Sequence, residues 1–182
     1  MIRFVTTNAG KFREISRLLA AHGIEVERLD RAYPEIQADR LEDVVSYAVR
    51  ALAAEVDGDF LVDDSGLFVD ALDGFPGVYS SYAYRTIGVP GVLRLMEGVD
   101  ARGARFETVL GLRRRGEVHV VRGACRGSLA REPRGSGGFG FDPIFVPDGR
   151  AETFAEMGTE EKNALSHRGI AARALAALLK GR

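Results

Sequence analysis

Asparagine occurs in this 182-residue chain only at Asn8 and Asn163, glutamine only at Gln37, and lysine only at Lys11, Lys162 and Lys180. Tryptophan is absent, and Cys125 is the single cysteine. One cysteine excludes an internal disulfide and suits a reducing compartment, so the cytoplasm is the expected location. A net charge of -1 excludes the broad basic field that bulk nucleic-acid binding needs. The apolar run at the start, "MIRFV", is too short for a signal peptide, and no run approaches the length that spans a bilayer. Neither nucleic acid nor a membrane is therefore an expected partner. Depletion of amides is a feature of heat-adapted proteins. The few that remain are informative by position: Asn8 stands three residues before Lys11, and Asn163 follows Lys162.

What is present suits one globular domain over residues 1–182, with 46% hydrophobic and 28% charged residues. "IRFVT" (2–6) has strand composition. Asn8 is a good N-cap, and Phe12, Ile15, Leu18 and Leu19 recur at helical spacing up to a stop at Gly23. "IEVERL" predicts a second strand. A loop containing Pro34 follows, then a helix over 41–56. Phe60 to Val62 reads as a buried strand that Gly66 to Leu72 can continue, "DGFPGVY" as a turn, and 91–97 as a short helix. "RFETVLGL" and "EVHVVRGACRGSLA" predict two strands joined as a hairpin through "RRRGE". "PRGSGGFGFDPIFVPDG" is a glycine-rich loop holding a short apolar strand. From Ser166 the pattern predicts a helix buried through Ile170, Ala174, Leu175 and Leu178. Strand–helix units followed by an antiparallel stretch predict an α/β fold with a mixed sheet and two lobes around a cleft.

Four segments carry chemistry. "TTNAGK" (6–11) lies where a strand passes into a helix, and exposed N–H groups there attract phosphate. It is not a P-loop, since the G-x-x-x-x-G-K-[ST] pattern is absent: Val5 stands at the first glycine and Phe12 follows Lys11. "FLVDDSGL" runs an apolar strand into Asp63 and Asp64, which should face opposite sides if the strand continues. With Glu35 of "PEIQ", such acids match a hard cation that uses one or two carboxylates plus substrate phosphates. "GGFGFDP" (137–143) sets Phe139 and Phe141 among glycines that let a backbone approach a ligand, and an aromatic face suits a flat ring. "EKNALSHRG" gathers Lys162, His167 and Arg168 at a helix start, where cations oppose the dipole and an anionic or carbonyl-bearing ligand would relieve the conflict. His22 reads as a helix-end residue and His119 as a strand residue, neither with a role, and Cys125, with no obvious catalytic partner, as a small buried residue.

In this order and spacing, these segments resemble the inosine triphosphate pyrophosphatase family. "GFPGVYS" (74–80) and "TFAEM" (153–157) add to the resemblance, which covers Thr6 to Arg168. The resemblance implies an elongated mixed β-sheet with two lobes flanking a nucleotide cleft, in a homodimer. It implies Mg²⁺-dependent cleavage of ITP, dITP or XTP to the monophosphate and pyrophosphate. Carried over by motif, Thr6, Thr7, Asn8, Ala9, Gly10 and Lys11 hold the triphosphate. Glu35 and Asp64 hold the metal, Asp64 also serves as general base, and Ser65 touches substrate. Phe139 stacks on the base, with Gly140, Phe141 and Asp142 shaping its pocket. Lys162, His167 and Arg168 read the purine edge. One departure is the helix after "PEIQ", which reads "LEDVVSYAVRA" without the Glu-Asn-Ala of many relatives. Two rival readings remain at this stage: a pyrophosphatase for modified pyrimidine or other nucleotides on a related fold, and a nucleotide sensor that does not hydrolyse.

Overall fold

The computed structural model of the chain describes residues 1–180. Six strands form one mixed sheet in the order β2-β1-β3-β4-β5-β6. β1 (Ile2–Val5) pairs in parallel with both β2 (Val26–Leu29) and β3 (Phe60–Val69). β3, β4 (Gly103–Arg114), β5 (Glu117–Leu129) and β6 (Phe145–Pro147) then pair antiparallel in turn. The sheet is therefore parallel at one side and antiparallel at the other, as the sequence pattern predicts. The β4–β5 turn is tight, with Arg115 and Gly116 both at positive φ.

Helix α1 (Ala9–Ala20) follows β1 directly, capped by Asn8, whose Oδ1 accepts the Lys11 amide at 3.0 Å. α2 (Leu41–Leu52) ends four residues before the predicted boundary, where the bonds tighten from Ala54 to Ala51 and from Glu55 to Leu52. Two further helices, α3 (Ser80–Thr86) and α4 (Gly88–Leu95), replace the single predicted one at 91–97. α5 (Thr159–Leu165) is broken from α6 (His167–Lys180) by an extended Ser166. α5 was not anticipated.

The buried face of α6 differs from the predicted one. Ala171, Ala172, Leu175 and Ala176 are buried, whereas Ile170, Ala174 and Leu178 are only half-buried. The reason is close approach to the sheet. A Cβ on Gly123 of β5 would run into the His167 carbonyl and the Ala171 amide. The α6 backbone lies against β5 there, so Ala171 and Ala172 take the positions nearest the sheet, while Leu175, as predicted, is also buried.

Alternation along β3 sends Leu61, Asp63, Ser65 and Leu67 to one face. On that face two apolar clusters form. One joins Phe4, Ile15, Leu19, Leu61 and Leu110 with Leu175 of α6; the other joins Leu67, Val92, Met96, Phe106, Phe145 and Phe154. Asp63, Ser65 and Thr108 lie between them, and the sheet is polar there. On the other face α2 packs Val45, Val49 and Leu52 against Phe60, Val62 and Val109. Each of these side chains, buried, contributes roughly 1.5–3 kcal/mol, so the frame that carries the polar gap is well supported.

Gly123→Ala should destabilise the fold by about 3 kcal/mol or more, measured by urea unfolding, because backbone rather than a movable side chain blocks the added methyl.

Candidate active site

Past Leu61, among the described residues, β1 no longer pairs with β3, and the next backbone pairing on that side is the isolated Phe68–Pro76 bridge, so the edge lies open at Asp63 and Asp64. The chain leaving β1 turns into α1 beside this free edge. Lys11 reaches the edge from there, and its Nζ lies 3.2 Å from Asp63 Oδ2 and 3.7 Å from Asp64 Oδ1. Two carboxylates assigned to opposite faces are thus held by one ammonium ion, because it approaches at the rim of the sheet. Tyr33 closes the same edge by donating its hydroxyl to the Asp63 carbonyl at 2.7 Å.

The two acids are not equivalent. The Asp63 side chain is fully buried, and its Oδ1 has no partner. Asp64 lines the cleft. Burial raises the Asp64 pKa; Lys11 opposes this, and Asp63 and Glu35 add to it, so that it lies at about 6. Its Oδ1 accepts the Ser65 amide at 2.8 Å. Burial disfavours the charge on Lys11, yet Asp63 and Asp64 outweigh burial and its pKa rises above the ordinary value. The ammonium therefore stays protonated at neutral pH. Ser65 Oγ lies 2.7 Å from Thr108 Oγ1.

The cleft encloses about 730 Å³. Thr6, Thr7, Asn8, Gly10 and Lys11 form one wall, with Glu35, Asp64 and Ser65 beside them. Thr6 Oγ1 accepts the Asn8 amide at 3.1 Å, and Arg28 braces the carbonyls of Thr6 and Thr7. The segment is thus rigid, with the α1 N-terminal amides beyond it. Ala9 opens that helix but does not line the cleft.

Opposite stand Phe139, Gly140, Phe141, Asp142 and Arg168. Asp142 is buried, and its Oδ2 accepts the Phe139 amide at 2.8 Å. Gly138 has φ +69°, and a Cβ there would strike this carboxylate, so the loop closes only around glycine. Phe139 stays half-buried beneath the Arg168 guanidinium, 4.6 Å from ring centre to carbon. Phe141 goes mostly into the core, meeting Tyr84 of α3 edge-on at 5.4 Å.

Lys162 and His167 are brought to this wall but lie behind it rather than on the cleft surface. Lys162 Nζ donates to Asp142 Oδ2 and Glu14 Oε1, each at 2.8 Å. His167 stacks on Phe106 at 4.6 Å, fully buried, with both ring nitrogens unpartnered. Burial first, then Arg168, Lys162 and Lys11, hold its pKa well below the usual imidazole value, so the ring is neutral.

Sequence reasoning missed Glu14, Tyr33, Ser81, Tyr84 and Arg85. Glu14 had a local signal, three residues beyond Lys11 and so on the same face of the helix. Ser81, Tyr84 and Arg85 line the cleft only because Ser80 pins α3 to β3: its Oγ accepts the Leu67 amide at 2.8 Å and donates to the Gly77 carbonyl at 2.7 Å.

Fold and cleft together define a class: an α/β protein that sets helix-end amides, a lysine, two acids and an aromatic wall around one cavity. Residues 2–178 match the Ham1 family, and the chain belongs to it. It is 55% identical to a dITP/XTP pyrophosphatase of Thermococcus kodakarensis, over 98% of this chain and 97% of that one. It is 51% identical to a dITP/XTP pyrophosphatase of Pyrococcus horikoshii, over 98% and 96% of the two chains. Among solved structures, a HAM1 protein from Coxiella burnetii matches with a TM-score of 0.84 at 32% identity, over 100% of both chains.

The buried neutral imidazole predicts a pH effect. Below about pH 6.5 the unfolded chain binds a proton at His167 that the folded chain refuses. Stability is then lost as pH falls beneath that value. His167→Phe should remove this loss: the drop in Tm between about pH 7.5 and pH 5 should be smaller in the variant than in the wild type by calorimetry. Equal drops would mean that the ring does not govern acid stability.

Proposed function

We propose that the chain hydrolyses the non-standard purine nucleoside triphosphates ITP, dITP and XTP to the monophosphate and pyrophosphate. The observation that carries this is the meeting, in one cleft, of the α1 start with Lys11, the Asp64–Glu35 pair and the Phe139–Arg168 wall. Membership of a family whose relatives include dITP/XTP pyrophosphatases supports it.

The Thr6 to Lys11 segment receives the triphosphate on its helix-end amides, and Lys11 offsets charge that develops on the phosphates. Asp64 and Glu35 are the residues that would hold Mg²⁺. Two cleft carboxylates beside a phosphate site fit a hard cation that keeps part of its water shell, although no three acidic or imidazole groups cluster among the described residues. When bound, the ion neutralises phosphate oxygens and helps orient water. Asp64, ionised at neutral pH but with its pKa raised to about 6, accepts the proton as water attacks the α-phosphorus. The new bond joins the water oxygen to that phosphorus, and the bridge to the β-phosphate breaks with pyrophosphate as leaving group.

Phe139 stacks on the base. Arg168, which lines the cleft, supplies donors for the 6-keto oxygen, and its unpartnered Nε supports this reading; Lys162 and His167 stand behind it and complete the same base-reading wall. An amino group at that position would leave donors facing donors, and such a mismatch discriminates strongly. The same reading includes a cytoplasmic homodimer. Tyr79, Tyr82 and Ile87, exposed around α3, offer an apolar face for a second copy.

Pyrophosphate release from ITP, XTP, GTP and ATP, each with and without Mg²⁺, tests the proposal. Metal-dependent release from ITP and XTP far above ATP is expected; equal release from all four, or none, would overturn it. Asp64→Asn should lower kcat by about a thousandfold while leaving Tm near the wild-type value. Near-normal turnover in that variant would remove Asp64 from the mechanism.

A further inference from the structure

Alternate residues of β3 point their backbone groups at the edge that β1 leaves open. Side chains answer them there. Tyr33 donates its hydroxyl to the Asp63 carbonyl at 2.7 Å, Asp64 Oδ1 accepts the Ser65 amide at 2.8 Å, and Ser80 Oγ accepts the Leu67 amide at 2.8 Å. The Tyr33 bond also controls a neighbouring stretch of chain. Residues 31–39 form neither helix nor strand, and among the described residues no backbone–backbone hydrogen bond holds them. Two side chains tie the segment down. Arg31 pairs with Glu55, but both are well exposed, and an ion pair of that kind holds little. Tyr33 is the firmer tie: its ring packs against the apolar cluster beneath α2, and its hydroxyl is fixed on β3.

Glu35 lies two residues beyond Tyr33, exposed, and lines the cleft with Asp64. Among the described residues no backbone hydrogen bond of its own fixes it. Pro34 stands between Tyr33 and Glu35, and its ring locks one backbone angle of the link. Asp64 follows the residue whose carbonyl Tyr33 holds. Both carboxylates are thereby referred to the same short stretch of β3, one through the Ser65 amide and the other through Tyr33. We infer that Tyr33 is a positioning residue that holds Glu35 beside Asp64, so that the two carboxylates meet one divalent cation. The inference rests on the function proposed above. Ligands on separate elements grip an ion only as well as their separation is held, because ordering a loose one uses up part of the binding energy. Tyr33 needs no contact with the metal, the nucleotide or the reacting atoms.

Tyr33→Phe keeps the ring and removes the hydroxyl. In protein free of metal and nucleotide, trypsin should cut after Arg31 or Arg40 about three- to tenfold faster than in the wild type, the change in open population that one hydrogen bond is worth. The Mg²⁺ concentration that half-saturates ITP hydrolysis should rise by a similar factor. At saturating Mg²⁺, kcat and the KM for ITP should stay within about threefold of the wild type. Restoration by excess Mg²⁺ separates a loosened ligand from general damage, which would lower kcat at every Mg²⁺ concentration. An unchanged Mg²⁺ requirement, a loss that excess Mg²⁺ does not restore, or unchanged cleavage at both arginines would overturn the inference. If Tyr33→Phe does not yield folded protein, Pro34→Gly decides, because it loosens the link and leaves the Tyr33 bond in place. A raised Mg²⁺ requirement with kcat restored supports the inference, and the wild-type requirement overturns it. A wild-type protein that does not hydrolyse ITP, or hydrolyses it equally without Mg²⁺, would instead overturn the proposed function, and the inference would fall with it.

Discussion

The Lys11 ammonium between Asp63 and Asp64 is the interaction on which the cleft depends. Two neighbouring carboxylates on a strand with apolar residues at both ends would repel each other and lose hydration. One cation within 3.7 Å of both makes the arrangement tenable. It can serve both because β1 stops short, which leaves one edge of β3 open, and because α1 begins at that edge. The strand ends, the helix start and the acid pair are therefore one structural decision. The same decision sets the uneven character of the acids, with Asp63 sealed beneath the sheet rim and Asp64 facing the cleft.

A second consequence concerns the gap between the apolar clusters. Both lie on the same face of the sheet, and they do not merge, because Asp63, Ser65 and Thr108 interrupt the apolar positions. Hydrophobic burial on either side keeps the walls apart, while Ser65 and Thr108 pair their hydroxyls across the floor. The far wall needs its own support. It comes from Asp142 and Glu14, which neutralise Lys162 and Arg168 and fix the ring of Phe139. Triphosphate end and base end of the proposed site thus share α1, through Lys11 at its start and Glu14 one turn later.

Much of this was legible in the chain. The strand–helix start, the β4–β5 hairpin, the Asn8 cap and the glycine-rich loop carry strong local signals of periodicity, capping and turn chemistry. The helices α3 and α5 were not legible, since each has seven residues and no sustained apolar stripe. The face of α6 was misread because its pattern favours Ile170 and Leu178, whereas close approach at Gly123 puts Ala171 and Ala172 nearest the sheet. At the site, residue types at helix starts and strand ends pointed to segments that the fold brings to one cleft. Their mutual placement was not readable: Lys162 and His167 stand behind the wall, and Glu14 became visible only through the two cations it holds.

By itself the sequence determined which chemistry was available: a capped helix start with a lysine, an acid pair on a strand, aromatics among glycines, and cations at a helix start. These are local properties, set by residue type and spacing within a few positions. Tertiary structure alone decided which acid faces the cleft, which cation pairs with which carboxylate, and that α3 closes one side. Those outcomes depend on where β1 ends relative to β3 and how closely α6 lies on β5. They are contacts between residues as far as 154 positions apart in the chain, and no local pattern encodes them.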